Sequence, residues 1–170
     1  DREIIICSCH YCDFMTVRDI SIWLLASALI IHTISEAWLP EWEKVKPNWQ
    51  AVVFNRLLFL DNLPIFIFAI AIALAGWKLP ILGGILPAIG IAHPIFDHVG
   101  LSIWGNKIRP GSWTGILLLF PLSIWVYSIG YSQHSISLTD FLISGAIGLS
   151  ISLWLLWITI EYLKVNDPSI

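Results

Sequence analysis

Long apolar runs separated by short polar stretches make up most of the 170-residue chain. The first run, Ile20 to Leu39, is long enough to cross the ~30 Å hydrocarbon core of a bilayer as a helix. Asp19 is placed to cap its start and Pro40 to stop it, and Trp23 and Trp38 mark its two ends. Residues 40–48 are the most charged stretch and read as an aqueous loop. Trp49 to Leu60, apolar around Asn55-Arg56, reads as an interfacial helix. Asp61-Asn62-Leu63-Pro64 looks like a helix start, with Pro in the first turn. A second, short span then runs from Pro64 to Trp77. Whether 49–77 is one kinked helix or two stays open on the sequence. After the turn Lys78-Leu79-Pro80, the third span covers Ile81 to Trp104, interrupted by Gly83, Gly84, Pro87, Gly90 and Pro94. The loop Gly105–Gly111 leads to a fourth span, Trp113 to Tyr131, with Pro121 inside it. The loop Ser132–Asp140 leads to a fifth, Phe141 to Ile160. The pattern predicts an all-α fold, a polytopic transmembrane helix bundle of about five spans. Residues 19–164 form its single domain, preceded by an N-terminal extension (1–18) and followed by a tail (165–170).

Composition strengthens that picture. Hydrophobic residues make up 57% of the chain and charged ones only 12%, with a mean hydropathy of +0.79. A soluble domain carries about 25% charged residues, so lipid is the expected solvent. Ten tryptophans suit interfacial belts. The net charge of −3 and the absence of a basic stripe argue against nucleic acid as a partner. The expected partners are membrane lipids, with a larger membrane complex or a homo-oligomer as further candidates. Lys and Arg concentrate on one side: Lys44, Lys46, Arg56, Lys107, Arg109 and Lys164 against Arg2, Arg18 and Lys78. This predicts a bacterial-type plasma membrane protein with the N-terminus outside and the C-terminus cytoplasmic.

The cysteines carry little. Cys7, Cys9 and Cys12 lack the second ligand pair of a zinc site, and Cys-Ser-Cys-His is not the haem attachment pattern. The only Met is Met15, so residues 1–14 read as an upstream extension or a mis-set start.

The candidate chemistry lies in the apolar runs, where ionisable groups are costly and usually functional. His32 and Glu36 share one face of the first span by their i,i+4 spacing. His93 and Asp97 repeat that spacing in the third span, and His98 follows, rotated by about 100°. All five are expected in the same leaflet. Imidazoles and carboxylates of this kind hold a divalent metal, Zn or Fe, and facing helices of a bundle commonly supply such ligands. The metal set read from the sequence is therefore His32, Glu36, His93, Asp97 and His98. Glu36 and Asp97 are also candidate acid–base groups beside a histidine, a reading that needs no metal. Arg109 is the third catalytic candidate, at the mouth with Pro110-Gly111-Ser112-Trp113-Thr114. The structural alternatives are a neutralised His32–Glu36 pair, His93 satisfying a local carbonyl, Asp97 or His98 capping a proline break, and Arg109-Pro-Gly as a simple turn.

These residues resemble the HXXEE-domain proteins, small polytopic membrane proteins. Pro110-Gly111-Ser112-Trp113-Thr114 fits the family's Pro-Gly-x-x-Thr motif in full. His32-Thr-Ile-Ser-Glu36 fits the name-giving motif with Ser35 in place of the first Glu. Of the Asn-x-x-Asn-x-x-x-His motif only His98 is kept, with Ile91 and Pro94 at the asparagine positions. A narrower likeness, on His32 and Glu36 alone, is to membrane sterol-isomerase-like proteins. Three functions stand open on the sequence. One is a metal-dependent or acid–base membrane enzyme acting on a lipid or hydrophobic small molecule. Another is a non-catalytic subunit of a larger complex that binds pigment or lipid. The third is a transporter or proton-path protein.

Overall fold

The computed structural model describes residues 16–44 and 56–166. The three cysteines, the extension before Met15 and most of the expected interfacial helix lie outside these residues. Five long helices follow one another: α1 (Val17–Lys44), α2 (Arg56–Ala75), α3 (Pro80–Trp104), α4 (Ser112–Ser132) and α5 (Leu138–Asn166). There is no strand among the described residues. Four stretches are long and apolar enough to cross a membrane: Val17–Trp38, Pro80–Trp104, Ser112–Ser132 and Leu138–Glu161. The second expected span is represented by a shorter apolar stretch, Asn62–Lys78.

Helix starts follow local chemistry. Thr16, not Asp19, is the N-cap of α1. Its Oγ1 accepts from the Asp19 amide at 3.3 Å, while the Asp19 carboxylate accepts from the Thr16 hydroxyl at 2.6 Å and amide at 3.2 Å. Ser137 and Asp140 repeat this reciprocal box at the start of α5. Three residues separate cap and acid in both cases, so the expected cap at Asp19 is corrected by one turn.

Two expected boundaries also move. Pro40 does not end α1, which continues to Lys44, and Asp61–Pro64 is not a helix start, because α2 is already helical from Arg56. A proline removes one backbone donor and disturbs one turn. At Pro64, inside an apolar helix, the flanking hydrogen bonds have no aqueous competitor, so the helix runs through it.

α3 is the hub, packing against the other four helices. Small residues allow this. A Cβ on Gly148 of α5 would collide with Ala88 of α3, and one on Gly84 would collide with Ser144. The Tyr127 hydroxyl of α4 donates to the Gly84 carbonyl at 2.6 Å, tying the same layer together. The core holds Ile22, Leu25, Ile72, Leu86, Leu119 and Val126. Large apolar side chains such as Leu74, Ile103, Leu117 and Trp157 point outward, as expected where the surroundings are lipid.

Candidate metal centre

The polar groups meet near one end of the bundle, where α1 and α3 approach their C-terminal ends and α4 begins. The α1 side is simple: four residues separate His32 from Glu36, so both face α3. The α3 side depends on a change of helix type. Pro94 has no N–H for the Gly90 carbonyl, and from Pro94 to Gly100 the chain winds as a π-helix. In an α-helix the five-residue step from His93 to His98 would turn the side chain away by about 140°. The wider winding returns His98 toward the face of His93, and their rings lie 5.0 Å apart, edge to face. A second π-turn, Gly115–Leu119, precedes Pro121 in α4 and packs against the first.

His32, Glu36, His93 and His98 each offer a ligand atom, and all four atoms lie within 4.8 Å of one another. The Glu36 Oε2 is 3.7 Å from His32 Nε2 and 3.9 Å from both His93 Nε2 and His98 Nε2. His32 Nε2 and His98 Nε2 are 3.1 Å apart. Four donors held at about 2.0–2.1 Å around a tetrahedral zinc stand about 3.3 Å from one another. The observed separations bracket that value, so small side-chain adjustments would close the set around one ion. His32 and His98 are 1% and 0% exposed, whereas the Glu36 side chain is 30% exposed. Glu36 therefore marks the open side.

The outer atoms of the histidines are held unequally. His32 Nδ1 is 3.1 Å from Thr114 Oγ1. That hydroxyl also contacts Ser35 Oγ at 2.6 Å and donates to the Gly111 carbonyl at 2.9 Å. Ser35 in turn donates to the His32 carbonyl at 2.8 Å. The two hydroxyl protons are too few for these three oxygen contacts, so none is left to donate to the ring and the Thr114 oxygen is best used as acceptor from His32 Nδ1–H. His32 Nε2 then presents a lone pair to the cluster, as a metal ligand must. His93 Nδ1 faces Asp97 Oδ2 at 3.8 Å. His98 Nδ1 is buried with no hydrogen-bond partner among the described residues.

Asp97, read from the sequence as a ligand, does not join the converging set. It lies behind His93, 1% exposed, with Oδ1 3.6 Å from Arg109 Nε and Oδ2 3.5 Å from the Thr159 hydroxyl. The i,i+4 step from His93 does bring Asp97 beside that ring, but at the Nδ1 edge. Among the described residues Arg109 meets the site through Asp97. It is held by its own amide, which donates to Ser102 Oγ at 3.1 Å.

The Pro-Gly-x-x-Thr stretch forms the cover of the site. Gly111 has φ 78°, and a Cβ there would stand 3.1 Å from Glu36 Cβ and His98 Cε1 and 3.2 Å from His32 Cε1. Only glycine fits both the backbone angle and the space. The sequence names Ser35 only as a departure from the motif, not as a site residue, and Thr159 not at all. Ser35 occupies a motif position and carried a usable signal; Thr159 sits in an apolar helix and carried none.

Two cavities flank the cluster. One, about 530 Å³, is walled by Leu29, Ile65, Phe68, Ile89, Ile151 and Leu155 and reaches His32, Glu36, His93 and Asp97. The other, about 540 Å³, lies beneath the loop after α3, against His98, Ser102, Asn106, Lys107, Ser112 and Trp113.

The family model described as "Protein of unknown function with HXXEE motif" matches residues 23–126. That range contains the four converging residues, Asp97, Arg109 and the whole cover. A relative from Bacillus subtilis (strain 168), "Uncharacterized protein YrkK", is 27% identical over 129 residues, covering 69% of this chain and 78% of that protein. No solved structure matches the chain.

Proposed function

Because this chain belongs to the HXXEE family and keeps the motif's His and second Glu as His32 and Glu36, we propose that it is an integral membrane metalloenzyme. It binds one divalent ion, zinc or iron, through His32, His93, His98 and Glu36. It acts on a lipid or other hydrophobic small molecule. The observation carrying this reading is the convergence of three imidazole nitrogens and one carboxylate oxygen inside an otherwise apolar bundle. A bound ion offsets the cost of keeping Glu36 there. When bound, such an ion supplies Lewis-acid polarisation of a substrate oxygen.

The protein's own residues divide the remaining work. Thr114 fixes the His32 ring and its tautomer. Asp97 stands behind His93, 3.8 Å from Nδ1, where a small closure would give a carboxylate–histidine–metal arrangement, and Arg109 balances the Asp97 charge. Glu36, on the open side, is the group best placed to meet a substrate and to exchange a proton with it. The excess of Lys and Arg at this end of the helices supports a cytoplasmic position for the site.

The test is elemental analysis of the full chain purified in detergent, before and after exposure to zinc or ferrous iron. One ion per chain is expected, with loss of stoichiometric binding in His98→Ala and Glu36→Gln. A folded wild-type chain that takes up no ion from either salt would refute the metal reading.

A further inference from the structure

The 530 Å³ cavity gives the site a direction. Its walls come from α1, α2, α3 and α5. α2 packs on α1 and α3, and α5 packs on α3, while among the described residues no comparable packing joins α2 to α5. The cavity lies in the gap they leave. Exposed Pro64 on α2 and exposed Trp154 on α5 both line it. It therefore opens sideways, toward the lipid, rather than along the bundle axis. Its polar lining includes the half-buried Glu36 with His32, His93 and Asp97, and Asn62 and Thr159 line it as well.

We propose that this cavity binds a single-chain amphiphile carrying a carboxylate head, which enters sideways between α2 and α5. The aliphatic tail lies along Ile65, Phe68, Ile151 and Leu155, and the head group meets the His/Glu cluster. The volume is in the range of small-molecule sites. At ~30 Å³ per water-sized group, it holds about 18 such groups, the bulk of one aliphatic chain rather than two. Charge selects the head, and this part rests on the metal reading. The Glu36 and Asp97 carboxylates, the Arg109 guanidinium and a divalent ion leave one positive charge over, which a carboxylate neutralises.

The probe is palmitate carrying a photoreactive diazirine on its tail, applied to the full chain in detergent micelles and mapped by mass spectrometry. Saturable labelling of Phe68, Ile151 or Leu155, competed by unlabelled palmitate, is the expected result. Ile65→Trp and Ile151→Trp, which fill the cavity, should weaken apparent affinity roughly tenfold without changing bound metal. Stripping the metal should also weaken it, and unchanged affinity would overturn the placement of the head at the cluster. Labelling that is not saturable, that falls mainly on outward positions such as Leu142 and Leu153, or that ignores both tryptophan variants would overturn the proposal. Full metal occupancy with no saturable labelling removes the lipid cavity and leaves the metal site standing. Saturable, tryptophan-sensitive labelling of a chain that binds no metal does the reverse.

Discussion

Thr114→Val removes a hydroxyl and little else, since the two side chains are nearly the same shape. In the wild-type chain that oxygen stands 3.1 Å from His32 Nδ1 and 2.6 Å from Ser35 Oγ, and donates to the Gly111 carbonyl at 2.9 Å. The Ser35 hydroxyl keeps a partner in the variant, because it also donates to the His32 carbonyl. His32 Nδ1 loses its hydroxyl acceptor, and the residue is 1% exposed. A buried donor left without a partner costs about 1–3 kcal/mol. The same loss frees the imidazole to rotate or to change tautomer, which places a proton on the nitrogen that faces the cluster. Groups that orient a metal-bound histidine are typically worth about 10–100-fold in metal affinity. At about 1.4 kcal/mol per tenfold, that range agrees with the hydrogen-bond estimate. The assay is competition between the detergent-solubilised protein and a chromophoric zinc chelator. Thr114→Val should fall in that range, while Thr114→Ser, which retains the oxygen, should stay within about threefold of wild type. Equal affinities for all three proteins, with helical circular dichroism unchanged, would refute the orienting role.

The other predictions test the cover and the ion pair. Gly111→Ala imposes about 1–2 kcal/mol of left-handed backbone strain and drives a methyl against Glu36, His32 and His98. Thermal unfolding in detergent should move down and metal affinity should fall with it; an unchanged affinity would show that the loop does not press on the cluster. Arg109→Gln leaves the buried Asp97 carboxylate without its cation and should destabilise the chain by up to ~3 kcal/mol. Adding Asp97→Asn should recover part of that loss, and strict additivity of the two changes would show that they do not interact. Gly148→Val should separate α3 from α5 at a cost of about 1–3 kcal/mol, read as a lower unfolding midpoint, and a midpoint equal to wild type would argue against that close packing.

The sequence by itself determined the helical class and named the four residues whose ligand atoms converge. Apolar runs of spanning length allow only helices whose backbone bonds close internally, so four of the five long helices were legible from hydropathy, while the shorter second one was not bounded by it. The i,i+4 pairs His32–Glu36 and His93–Asp97 followed from helix geometry. The breaks were less legible. Pro40 and Pro64 look like boundaries on a local reading, yet α1 and α2 run through them, because continuity is decided by the surroundings of a helix as well as by its propensities. The roles within the site belonged to the tertiary structure. A regular α-helix turns His98 away from His93; only the π-winding after Pro94, packed against the second π-turn of α4, brings both rings to Glu36. Asp97 has the chemistry of a ligand, and its place behind His93 was set by Arg109 from a loop and Thr159 from α5. Distances between helices, and hence which of several similar groups share one point in space, are not encoded in the periodicity of any one of them.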